Sequence, residues 1–189
     1  ACYGNEQIET PHLNALSEGS FIFDNAYVSQ PVCSPSRATM MTGLWPHTAG
    51  VPRCNVPLPA DVPTFAEHLE GYATAYMGKW HLGDEIFPQH GFDTWVGTES
   101  SYRHSYSDPE RLSQLSPYQQ WLMEHGFEPE HENQGQLVFS RHVEASMEEP
   151  FTKAAYLGER AAQFIEARGD EPFALCVSYL EPHPPHTGP

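Results

Sequence analysis

Chemistry is concentrated in the stretch Pro31-Val32-Cys33-Ser34-Pro35-Ser36-Arg37-Ala38-Thr39-Met40-Met41-Thr42-Gly43. It has the form of a short helix with reactive groups at its front. Ser34 suits an N-cap, and Pro35 suits the first helical position, where a missing N–H costs nothing. Met40 and Met41 favour the helix and can face a core, and Gly43 is the expected stop. Cys33 then sits just before a helix N-terminus, where free N–H groups and the helix dipole favour anions and lower a thiol pKa. Arg37 falls in the first turn, the unfavourable end of the dipole for a cation. A thiol and a cation gathered there suggest an anion site.

A second group lies at Gly78-Lys79-Trp80-His81-Leu82-Gly83. On an extended backbone, residues two apart point the same way, so Lys79 and His81 are expected to project together while Trp80 packs opposite. A Lys and a His converging at the C-terminal end of a strand suit oxyanion binding in an open α/β sheet. The third is His183, in Glu181-Pro182-His183-Pro184-Pro185-His186, where prolines on both sides restrict the backbone and fix its direction. His47, in the loop after the first helix, either lines a substrate pocket or sits in solvent.

These groups need elements to carry them. Thr10 to Gly19 reads as a short helix with Leu13 and Leu16 on its apolar side, and Phe21 to Val28 as a strand delivering the chain to Cys33. The prolines between 52 and 63 mark irregular connection, and Thr64 to Glu70 reads as a helix ending near Gly71. Tyr72 to Met77 reads as a buried strand, and His90 to Gly97 as a strand entering residues 99–150. That segment is polar, with a short helix over Tyr118 to His125 and with His104, His125, His131 and His142 scattered without ligand spacing; it reads as an insertion. Phe151 to Arg168 is the clearest helix, its apolar side drawn from Ala154, Ala155, Leu157, Ala161, Ala162, Phe164 and Ile165. Phe173 to Leu180 is a nearly continuous apolar run, a strand buried on both faces, with Cys176 in the core.

The 189 residues carry a formal net charge of −16, which argues against nucleic acid or an anionic membrane as partner. Before residue 81 the only Lys and Arg are Arg37, Arg53 and Lys79, so an anion must be held by a local cluster. No apolar run is long enough to span a bilayer. Cys2, Cys33, Cys54 and Cys176 are scattered, giving no zinc site, and a Cys2–Cys54 disulfide has no support from spacing. The chain opens on Ala1 without an initiator Met and closes on Thr187-Gly188-Pro189, so both ends read as cut.

Cys33-Ser34-Pro35-Ser36-Arg37, with Thr42-Gly43, resembles the maturation and active-site motif of type I, formylglycine-dependent sulfatases of the alkaline phosphatase-like superfamily. Gly71-Tyr72 through Gly78-Lys79-Trp80-His81 resembles their second motif, with Met77 where relatives commonly have a smaller residue. The Thr10-Pro11 helix, the Phe23 to Tyr27 segment, Gly91-Phe92-Asp93 and Pro182-His183-Pro184-Pro185 follow in the family's order. The resemblance implies an α/β, three-layer alkaline phosphatase-like sandwich with a mixed, mostly parallel sheet and helices on both faces. Residues 1–189 would be part of the catalytic domain, with 99–150 a variable insertion.

It further implies sulfate ester hydrolysis. Cys33, oxidised to formylglycine by a maturation enzyme, would be the nucleophile, and Arg37 and Lys79 would hold the sulfate oxygens. His183, with Lys79, would assist the leaving alcohol, and His81 would help release sulfate. Calcium, with magnesium as a substitute, would bind Cys33 as formylglycine, the other ligands coming from outside residues 1–189. Neither Asp24 nor Asp84 is assigned to that metal, and the isolated fragment is expected to be inactive. The substrate would be a small-molecule or saccharide sulfate ester, and the compartment periplasmic, secreted or lysosomal. A phosphonate or phosphate ester hydrolase of the same superfamily and a non-catalytic binding protein are the alternatives.

Overall fold

A computed structural model describes residues 2–99, 106–133, 136–139 and 147–184. Its centre is strand β1, Ala73–Gly78, in which only Thr74 and Tyr76 are β-prone and burial along most of its length decides the conformation. β1 is flanked by two parallel neighbours, β2 (Thr94–Val96) and β5 (Phe173–Ser178), in the order β2-β1-β5. Ala75, Tyr76 and Met77 stand opposite Thr94, Trp95 and Val96, and Ala73 through Gly78 opposite Phe173 through Ser178.

Because side chains alternate along a strand, β1 feeds two cores. Tyr76 packs with Trp80, Phe92 and Trp95 and with Ala38 and Met41 of helix α2, Cys33–Thr42. Ala75 and Met77 face the other way, onto Tyr118 and Leu122 of α3 (Pro117–Glu124) and Tyr156, Leu157 and Phe164 of α4 (Lys153–Arg168). Helices therefore cover both faces of a parallel sheet, the expected α/β arrangement in partial form. The one antiparallel pairing among the described residues is the separate hairpin β3–β4, His131–Asn133 with Gln136–Val138. No described helix is long and apolar enough to cross a membrane.

Several expectations need correction. Residues 21–28 form no strand: Phe21 is 98% and Tyr27 90% exposed, and no described strand lies beside them to pair their backbone. Helix α1, Pro11–Glu18, forms where expected but buries no side chain, Leu13 and Leu16 included. The expected helix over 64–70 is a single 3-10 turn, Phe65–His68, closed by a reciprocal cap in which Glu67 accepts from the Thr64 N–H and Thr64 Oγ1 from Ala66. α4 starts at Lys153, after the cap Thr152, and leaves Ala154, Ala162 and Ile165 exposed. β5 is half-buried because it is the outer strand of the described sheet, so Cys176 is partly buried. His104, His142 and His186 lie outside the described residues.

Gly78 lies directly against the main chain of β5. Its φ is +102°, and a Cβ there would fall on the main-chain carbonyl of Ser178. Gly78→Ala is expected to lower stability by at least ~3 kcal/mol, from a left-handed backbone plus overlap with main chain. A urea denaturation midpoint equal to wild type would contradict this close approach.

Candidate functional site

Cys33 is the first residue of α2, not the residue before it. Val32, in extended conformation, occupies the cap position and contributes no side-chain bond. Ser34 is left for another task, its Oγ accepting the backbone N–H of Asn55 at 3.2 Å. The earlier start places Arg37 one full turn beyond Cys33 on the same helix face, clear of the first turn. Met41 is buried beneath the helix, whereas Met40 is 69% exposed. Gly43, at φ +72°, ends it as expected.

Arg37 reaches from α2 to the sheet. Its Nη1 donates to the Lys79 carbonyl at 2.7 Å, to Ser178 Oγ at 2.8 Å and to Tyr76 Oη at 3.2 Å. Tyr76 Oη in turn donates to the Lys79 carbonyl at 2.6 Å. Burial pushes the Tyr76 hydroxyl well above its usual pKa, with Arg37 pulling only part of the way back, so it remains a neutral donor.

Beyond β1 the chain turns sharply. Lys79 is buried, and its N–H donates to the Ser178 carbonyl at 3.1 Å. His81 adopts φ +59°, so the expected extended alternation stops there. Its Nε2 meets Asn55 Oδ1 at 2.6 Å. Trp80 is fully buried in the aromatic cluster and donates from Nε1 to Gln89 Oε1 at 3.0 Å. Glu85 accepts the Trp80 N–H at Oε2 (3.0 Å) and the His81 N–H at Oε1 (2.6 Å). Full burial raises the Glu85 pKa to about 7, against the lowering effect of those two bonds; Glu99 raises it further and Arg37 lowers it.

A cavity of about 600 Å³ opens between α2 and the C-terminal ends of β1 and β5, lined by Cys33, Arg37, Lys79, Cys176, Ser178 and His183 among others. Burial raises the Cys176 thiol pKa, which keeps it protonated. His183 is half-buried after β5, its Nδ1 2.8 Å from the Pro184 carbonyl. A carbonyl only accepts, so this contact requires Nδ1–H and leaves Nε2 as the nitrogen able to exchange a proton. Four of the six site residues expected from sequence thus share one cavity. His81 does not line it, and His47 is exposed on a turn away from it. Sequence reasoning missed Glu85, Asn55, Tyr76 and Ser178, none of which carries a motif signal; only Asn55, at φ +60°, has a residue type suited to its backbone. No described group of three or more His, Cys, Asp or Glu side chains could hold a metal.

The family model described as Sulfatase matches residues 1–189. The chain belongs to the sulfatase family. It is 31% identical to the uncharacterized sulfatase YidJ of Escherichia coli over 100% of this chain and 36% of that protein. It is 34% identical to an ulvan-active sulfatase of Formosa agariphila over 97% of this chain and 32% of that one. The solved structure of Ps i-CgsB in complex with k-i-k-neocarrahexaose matches 96% of this chain and 42% of its own, at 27% identity and a TM-score of 0.59. A phosphonate monoester hydrolase of Agrobacterium radiobacter, at 20% identity and a TM-score of 0.65 over 98% of this chain and 38% of its own, shares the fold. The chain spans about a third of the length of these curated relatives.

Glu85 gives the fold a specific pH response. Its folded pKa, about 7, exceeds its ordinary value of 4.5, so the folded state binds the proton more tightly. The resulting stability is fully present below about pH 4.5 and is lost as pH rises through about 7. Glu85→Gln removes this titration. Its stability relative to wild type is expected to rise by up to about 3 kcal/mol between about pH 5 and pH 8. Parallel denaturation curves at both pH values check this; a constant difference contradicts it.

Proposed function

We propose that the protein hydrolyses sulfate monoesters with Cys33, matured to formylglycine, at the reacting end. The observation that carries this is the cavity uniting Cys33, Arg37, Lys79 and His183 at the C-terminal edge of parallel strands. Cys33 suits the modification, being half-buried, on an open cavity and at a helix N-terminus that favours negative charge. Formylglycine, when formed by a maturation enzyme, supplies an aldehyde hydrate as nucleophile.

The chain's own groups supply the remaining work. Arg37, its Nη1 tied to three oxygens, is a fixed cation, and Lys79 is a second positive charge on the same cavity. Preorganised cations beside a transferring tetrahedral group stabilise charge that develops on its oxygens. His183, carrying a proton on each ring nitrogen, gives the one on Nε2 to the leaving alcohol, while His81, bonded to Asn55 and outside the cavity lining, takes its part in sulfate release from the family resemblance. Calcium or magnesium is expected from the resemblance, but the donor set here does not fit it. The described polar lining is two thiols, two cations, a histidine and hydroxyls, with no carboxylate, so no step is derived through a metal.

Peptide mass spectrometry of full-length protein co-expressed with a formylglycine-generating enzyme tests the maturation; an unmodified Cys33 thiol would count against it. Cys33→Ala is expected to lower aryl sulfate turnover at least ~10³-fold, and Arg37→Ala or Lys79→Ala by roughly 10²–10³-fold. Side-by-side rates on an aryl sulfate and an aryl phosphonate monoester address the likeness to phosphonate hydrolases; a faster phosphonate reaction would reverse the assignment. The isolated 1–189 chain is expected to show no turnover, which the same aryl sulfate assay checks.

A further inference from the structure

We propose that Glu85 is a positioning residue for His81, its carboxylate holding the turn that sets the histidine against Asn55, which is itself bonded to Ser34 beside Cys33. The inference rests on the sulfatase reading above. After Gly78 the chain leaves the sheet, and the Lys79 N–H still finds a ladder partner in the Ser178 carbonyl. The next two amides, of Trp80 and His81, turn instead to the two oxygens of one carboxylate, at 3.0 and 2.6 Å. The backbone they define is strained, since His81 holds φ +59°, and such a conformation persists only when its surroundings over-determine it.

Glu85 is itself immobilised. Its carbonyl accepts from Trp95 Nε1 at 2.9 Å, and Gly97 lies so close that any Cβ would overlap that carbonyl. The carboxylate is fully buried, and burying an ionisable group is unfavourable unless something specific is gained. Here the gain is a fixed His81 backbone, which brings Nε2 to Asn55 Oδ1, while the Asn55 N–H is held by Ser34, next to Cys33.

The test uses full-length, formylglycine-matured protein and an aryl sulfate. Glu85→Gln keeps the shape but sets an amide NH2 against one of the two N–H groups. It is expected to lower kcat ~10–100-fold, the range of a hydrogen bond to a charged group, with KM within about 3-fold and a melting temperature at pH 8 equal to wild type or higher. In a His81→Ala background the same substitution is expected to add less than about 2-fold. A purely structural carboxylate gives another pattern: unchanged kcat in Glu85→Gln, or an equal loss with and without His81. Either result overturns the inference. If Glu85→Gln does not fold, Glu85→Asp, which keeps the charge but retracts it, must lower kcat at constant KM; unchanged kcat overturns the proposal. Absence of sulfate ester turnover by matured wild type would count against the sulfatase reading instead.

Discussion

The site depends on one guanidinium nitrogen. Arg37 Nη1 is shared among Tyr76 Oη, the Lys79 carbonyl and Ser178 Oγ, groups from the middle of β1, the residue just past its end and the last residue of β5. Through it the helix that begins with Cys33 is set against the seam between two strands. Hydrogen bonds from a charged donor are stronger than neutral ones, and this one is part-buried. Arg37 acts on geometry as well as charge, since it fixes how far α2 stands from the sheet and so the width of the cavity.

The rest of the fold holds that seam close. Gly78 lets β1 lie against the Ser178 main chain, and the rings of Tyr76, Trp80, Phe92 and Trp95 fill the space beneath α2. Tyr76 belongs to both systems. Its ring stacks on Trp95 at 5.1 Å, while its hydroxyl joins the Arg37 network, so packing in the core and polar order in the site share one side chain.

What could be read from sequence was what is local. The cysteine-to-arginine spacing on one helix, the buried strand before Lys79 and the strand before His183 are patterns within a dozen residues, and all three elements form. What failed depends on partners distant in the chain. Phe21 to Val28 has strand-like residue types, but a strand also needs a neighbour. Ser34 looked like a cap because its type fits one, and only the folded chain brings Asn55 to claim its hydroxyl. Glu85 has no spacing rule at all, since its value lies in two backbone amides left without sheet partners. His81 followed the extended alternation on paper, and its positive φ broke it.

Lys153 and Glu99 are both buried and pair across 54 positions of sequence, at the two ends of the polar segment between β2 and α4. The pair acts as a clasp on a loop. Once the feet of a loop are fixed, its closure entropy grows only with the logarithm of its length, about 0.6 kcal/mol for each doubling. Loop length is therefore cheap only where a change leaves α3 in place, because Tyr118 and Leu122 fill the core against Ala75 and Met77 of β1.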